Sequence, residues 1–117
     1  MDALVSVAVL HHLPDFWKQV ALLRGAAMLK PGGRFFLFDV VFSFPPSAYA
    51  RHIDGWIEAF RDKAGDEFVG DAQTHIRDEY STFDWVLRGM LEAAGFRIDS
   101  TERRDALSAA YVCTRVG

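Results

Sequence analysis

The beginning of the chain constrains its fold more than any other part. Ala3-Leu4-Val5-Ser6-Val7-Ala8-Val9-Leu10 is rich in β-branched residues and does not alternate polar with apolar. A strand apolar on both sides belongs inside a parallel sheet whose two faces are covered by helices. The next residues agree with that setting. His11-His12-Leu13 ends the strand, and Pro14-Asp15 is a helix-start signal. Phe16, Val20, Leu23 and Ala27 recur at helical spacing, which predicts one buried stripe on a helix running to Lys30. Gly25 weakens that helix by about 1 kcal/mol relative to alanine. Pro31-Gly32-Gly33 stops it in a tight turn, and Arg34–Phe42 reads as a second buried strand. Strand, helix and strand within about 40 residues make a parallel βαβ unit with a right-handed crossover.

Residues 43–81 behave differently. Pro45-Pro46 breaks the strand, and Ser47 is placed to cap a helix lined on one face by Tyr49, Ile53, Ile57, Phe60 and Ala64. Asp62–Asp71 is acidic, carries Gly65 and Gly70, and reads as a mobile loop. So long a connection is often functional, and it reads as a helical lid or substrate cap, or else as a helical insert with no role at the site. Ser81-Thr82-Phe83-Asp84 resembles a capping box. Phe83, Val86, Leu87, Met90, Leu91 and Ala94 then trace an amphipathic helix, with Gly95 as its left-handed cap and Phe96 as the accompanying contact. Phe96–Arg103 and Ala109–Val116 read as two closing strands joined around Asp105–Ser108. The chain is thus expected to be one α/β domain over 1–117, a mixed sheet of about four strands with helices on both faces and a helical insert.

Composition excludes several classes. Of 117 residues half are apolar, and 13 Lys+Arg against 16 Asp+Glu leave a net charge of −3. Such a chain repays its ordering entropy by burial, so disorder is excluded. The Ala3–Leu10 run is interrupted by Ser6 and is far shorter than the roughly 20 residues of a membrane span. No basic leader precedes it, because Asp2 stands where a signal peptide is positive. A single cysteine, Cys113, fits a reducing cytoplasm. Weak acidity argues against nucleic acid as a partner.

In open α/β sheets ligands sit beyond the carboxyl ends of the strands. Those ends are Leu10-His11-His12 and Val41-Phe42-Ser43, adjacent strands lying about 4.8 Å apart. They would form the floor of a small-molecule pocket. His11, His12, His52 and His75 lack the spacing that presents two ligands on one helix face, so no metal is expected. Asp39, inside the second strand, is read as structurally paired. Asp78-Glu79 read as solvated carboxylates before a helix. Cys113 has no histidine placed to activate it, and Gly32-Gly33 belongs to no phosphate-loop motif. Trp56 and Trp85 are read as partly buried surface aromatics that could also face a substrate.

Asp2-Ala3-Leu4-Val5, Val9-Leu10-His11-His12-Leu13-Pro14-Asp15, Leu29-Lys30-Pro31-Gly32-Gly33-Arg34-Phe35 and Phe38-Asp39-Val40 together resemble the second half of class I S-adenosylmethionine-dependent methyltransferases. Met90-Leu91-Glu92-Ala93-Ala94-Gly95-Phe96 resembles that family's last helix and its turn into a closing hairpin. The resemblance implies a Rossmann-like sheet to which this chain gives the fourth to seventh strands. It implies the spatial order first, second, fourth, third, with the last strand antiparallel beside Arg34–Phe42. The family's glycine loop and its two cofactor-binding acids have no counterpart in this sequence. By resemblance, Val7, Ala8 and Val9 would border the methionine part of S-adenosylmethionine. His11, the candidate base, would lie on the acceptor side, where Tyr49, Trp56, Phe60 and Tyr80 would select a small molecule. Read this way, the chain is a truncated methyltransferase, inactive alone; the alternative is a non-catalytic half-fold that works by self-association. A dinucleotide oxidoreductase is disfavoured by the missing glycine fingerprint. An unblunted first strand predicts a homodimer through its edge, with Val5, Val7 and Val9 at the contact.

Overall fold

A computed structural model describes residues 2–65, 79–105 and 107–117, without the side chains of 60, 63, 64 and 105. Most of the expected acidic loop, with Gly70, lies outside the described residues, as do His75, Asp78 and Ala106. The chain divides into two compact bodies, Phe44–Glu79 and the remainder.

The larger body is built on a mixed sheet of five strands. β1 (Ala3–Val7) pairs in parallel with β2 (Arg34–Phe42), joined by α1 (Asp15–Met28). Helix α2 (Tyr49–Ala64) belongs to the smaller body; β3 (Thr82–Phe83) is short and precedes α3 (Asp84–Ala93). β4 (Phe96–Asp105) and β5 (Ser108–Arg115) form an antiparallel hairpin. The order β1-β2-β5-β4, with β5 antiparallel to β2, is the order the family resemblance implies. β5 occupies one side of β2 as far as Val40, and the Val41 amide donates to the Leu107 carbonyl on that same side. β3 pairs with Val41 and Phe42 of β2, so it takes the β1 side, above the point where β1 ends.

The core gathers on one face of this sheet. Phe35, Leu37 and Val41 of β2 alternate inward with Ala109, Tyr111 and Cys113 of β5. Leu22, Ala26 and Leu29 pack there from the α1 side, and Leu87, Leu91 and Ala94 from the α3 side. Within this body the opposite face leaves Val5, Val7 and Phe36 exposed. β1 therefore differs from the expected interior strand. Ala3, Val5 and Val7 are exposed on the face away from the core, while Leu4 and Ser6, on the core face, are half-buried; among the described residues only β2 flanks the strand.

Three local expectations are corrected. The buried face of α1 is Lys18, Leu22, Gly25, Ala26 and then Leu29, whereas Phe16, Leu23 and Ala27 are exposed. The helix is apolar on nearly every side, so spacing alone does not choose its inner face. Close approach chooses it: a Cβ on Gly25 would lie 3.0 Å from the Leu4 side chain. Ser47 lies within a 3-10 turn, Pro46–Ala48, and does not cap the following helix. The proposed capping box is instead strand β3, with Phe83 at the cap position and no side-chain cap bond. Gly95 does adopt a left-handed φ of 96°, and Phe96 is buried beside it.

The smaller body, described by itself, is helix α2 (Tyr49–Ala64) with its leading turn. His52 stacks on buried Phe44 at 4.6 Å between ring centroids. No described helix is long and apolar enough to cross a membrane.

Candidate functional site

β1 cannot continue past Val7, because Ala8 turns into the left-handed region at a φ of 55°. For a residue with a Cβ this conformation is strained, and such strain concentrates at functional sites. The Ala8 amide still reaches the Phe38 carbonyl at 2.8 Å, so the turn is pinned to β2. A single 3-10 turn, Leu10–His12, follows and carries Leu10 and His11 into the interior.

Asp39 receives them. It is 1% exposed, and an isolated carboxylate there would be costly. It is fully engaged. One oxygen accepts from the Leu10 amide at 2.8 Å. The other accepts from its neighbour's amide, Val40, at 2.8 Å and contacts His11 Nδ1 at 2.7 Å. Asp39 thus ties the carboxyl end of β2 to the turn that ends β1. A proton on His11 Nδ1 satisfies the carboxylate and leaves the basic lone pair on Nε2. The reading of Asp39 as structurally paired agrees with this geometry. The His11 and His12 rings lie 4.0 Å apart, centroid to centroid.

Two further groups complete the cluster: Lys18, which the sequence did not single out, and the backbone of Tyr80, expected on the acceptor side for its side chain. Lys18 of α1 is 1% exposed, yet its Nζ donates to the Tyr80 backbone carbonyl and lies 3.6 Å from the Asp15 carboxylate. Burial pushes its pKa below the ordinary lysine value, opposed by the Asp15 carboxylate and then by Asp39. The Tyr80 amide donates to the His11 carbonyl at 2.7 Å. Lys18 was visible in principle, since Lys18, Leu22, Gly25 and Leu29 share helical spacing. Tyr80 takes part through its backbone, which no side-chain motif reveals.

The other sequence candidates fall as follows. Val7 and Val9 are exposed and Ala8 is half-buried, side by side with the His11 turn. Val9 and Leu10 line an apolar cavity of about 160 Å³ against Leu22 and Gly25. The Tyr80 side chain is exposed beside the cluster. Tyr49, exposed, and Trp56, half-buried, belong to the smaller body, and Phe60 has no described side chain. Trp85 is exposed on α3. Cys113 is fully buried in β5, and burial pushes its thiol up to about 12, as expected of an inert core cysteine.

No family model matches the chain. An uncharacterized methyltransferase of Bacillus cereus (strain ATCC 10987 / NRS 248) is 31% identical over 101 residues, 86% of this chain and 43% of that protein. An O-methyltransferase family 2 protein from Planctomyces limnophilus, solved in complex with apigenin, matches 98% of this chain with a TM-score of 0.66 at 13% identity. The chain is similar in sequence to part of a protein named a methyltransferase, and in fold to part of a solved methyltransferase. It spans about 43% of the curated relative and 30% of the Planctomyces limnophilus enzyme. A Burkholderia thailandensis 1,6-didemethyltoxoflavin-N1-methyltransferase, solved with 1,6-didemethyltoxoflavin and S-adenosylhomocysteine, matches 99% of this chain with a TM-score of 0.62 at 18% identity, over 44% of its own length. The sheet order, the α1 crossover and the closing hairpin are therefore those of part of a methyltransferase domain.

Proposed function

We propose that this chain supplies the acceptor-side wall of a methyltransferase that uses S-adenosylmethionine and a small-molecule acceptor, with His11 as general base. The observation that carries the reading is the buried His11–Asp39 pair at the adjacent carboxyl ends of two parallel strands. That is where ligands bind in such sheets. Asp39 orients the imidazole and balances the positive charge that His11 gains on taking the acceptor's proton. Val7, Ala8 and Val9 fit one wall of the cofactor site. They present two exposed apolar side chains and a turn pinned to β2. The described residues offer no glycine loop there, so the fit is to one wall. When bound, S-adenosylmethionine supplies a methyl group on a sulfonium, activated without help from the protein. The chain's own contribution is to hold the acceptor in line and remove its proton.

One wall binds weakly, so the isolated chain is expected to hold the cofactor or S-adenosylhomocysteine more loosely than micromolar, about −8 kcal/mol. A micromolar constant by calorimetry refutes this part of the reading. Amide NMR shifts under millimolar S-adenosylhomocysteine are expected at residues 7–12. Shifts confined to the α3 helix or the β4–β5 turn would exclude the proposed wall.

A further inference from the structure

Lys18 buries a full ammonium in a body whose other inward α1 residues are apolar or glycine. A lysine that only filled space would send its charge to solvent along its flexible stem. This one does not. Its Nζ is held by the Tyr80 carbonyl, with Asp15 at 3.6 Å as its other described partner.

The significance lies in what Tyr80 does next. Its amide donates to the His11 carbonyl at 2.7 Å, and the His11 ring contacts Asp39 at 2.7 Å. Two residues further on, Thr82 and Phe83 pair with Val41 and Phe42 of β2. A chain of contacts therefore runs from the Lys18 ammonium to the Tyr80 carbonyl, across the Tyr80 backbone to its amide and the His11 carbonyl, and through the His11 side chain to Asp39. His11 is fixed from its ring side by Asp39 and from its backbone side by Tyr80. A hydrogen bond to a charged donor is about twice as strong as a neutral one, and burial strengthens it further.

We propose that Lys18 is a positioning residue for His11, acting through the Tyr80 backbone; its catalytic meaning rests on the methyl-transfer reading above. Lys18 touches neither acceptor nor cofactor in this role. It decides how narrowly the imidazole is aimed.

The test uses the whole chain, free of ligand, and two variants. Lys18→Met keeps the length and removes the charge and the donors. Lys18→Gln keeps a shorter neutral donor. Hydrogen exchange is read at the Tyr80 amide and at the β5 amides, and the His11 ring ¹⁵N signals report its tautomer. In Lys18→Met the Tyr80 amide is expected to exchange about tenfold faster while β5 is unchanged. The His11 signals should move from a single Nδ1-bonded form toward an average, and Lys18→Gln should restore part of both effects. A uniform acceleration that includes β5 would show a purely structural lysine and overturn the proposal. An unmoved His11 signature overturns it as well. Should Lys18→Met not fold, Lys18→Gln carries the test alone, with smaller changes in the same direction expected and none overturning it. Amide shifts under millimolar S-adenosylhomocysteine that spare residues 7–12 overturn the methyl-transfer reading instead, a result distinct from any of these.

Discussion

Replacing Asp39 with asparagine tests the cluster at its centre. The carboxylate accepts from three donors: the Leu10 amide, the Val40 amide and His11 Nδ1. Asparagine offers one acceptor oxygen and one NH₂. With its oxygen facing Val40 and His11, the NH₂ confronts the Leu10 amide, donor against donor. With the amide reversed, two donors are stranded instead of one. Each buried donor left unsatisfied costs about 1–3 kcal/mol, more where a charge was involved. The better orientation therefore predicts a loss of about 2–3 kcal/mol, and Asp39→Ala a loss of about 3–9 kcal/mol, the sum of three stranded donors. Against a total stability of about 5–15 kcal/mol, the alanine variant should be marginal. Denaturation in urea, followed by tryptophan fluorescence and circular dichroism, measures both. The midpoint should fall while the slope stays constant, since the same surface is exposed on unfolding. An asparagine variant within about 0.5 kcal/mol of the parent would mean these bonds are not holding the turn, and the site argument would fail with them.

Acid should weaken the molecule partly through Asp84. Burial raises its pKa, but the Tyr111 hydroxyl, the Arg88 guanidinium and the charge of Arg103 together hold it below 3.8. A depressed folded value gives stability that is present above the unfolded value and lost as pH falls through the folded one. Melting temperature should thus drop below about pH 4, less steeply in Asp84→Asn; parallel profiles for the two would contradict it. Ala8→Gly relieves a φ of 55° worth about 1 kcal/mol and loosens the unfolded chain by about 0.4–1 kcal/mol, so it should be neutral or mildly stabilising. A loss above about 1 kcal/mol in urea melts would count against strain at this turn. We further propose that a second copy pairs along the outer edge of β1, where Val5 and Val7 are 65% and 59% exposed and Val9, just past the strand, is 52% exposed. Light scattering should give a homodimer that Val7→Lys shifts toward monomer; a 13.2 kDa monomer at high concentration excludes it.

The sheet was legible because its signals are redundant. β2 is apolar at nearly every position and is bracketed by Gly33 and Pro45, so its span Arg34–Phe42 could be read directly. Gly95 sits where an amphipathic stripe ends, which made the α3 cap readable. The inner face of α1 was not readable, since Phe16, Val20, Leu23 and Ala27 are as apolar as the residues that pack. The choice between stripes was made by Leu4 approaching Gly25, a contact between distant parts of the chain. The site divided in the same way. His11 was found from its place at a strand end, and Asp39 as an acid inside the second strand that needs a partner. Lys18 and the Tyr80 backbone became visible only when the fold joined them across 62 residues of sequence.

The position of Tyr80 follows from the early end of β1. Ala8 leaves the sheet at a left-handed turn, so the edge of β2 beyond Phe38 loses its parallel neighbour. Unpaired backbone near a buried carboxylate is costly, and the chain must bring another segment to that edge. β3 is that segment, and it pairs where β1 no longer can. Thr82 and Phe83 fill the edge only if Tyr80 passes directly over the His11 turn. There its amide meets the His11 carbonyl and its carbonyl meets Lys18. The termination of one strand therefore dictates the route of a segment far along the chain, and that route encloses the imidazole. A longer β1 would have kept the edge paired and left His11 outside the interior. The strained residue that ends the strand is what makes room for the buried His11–Asp39 pair.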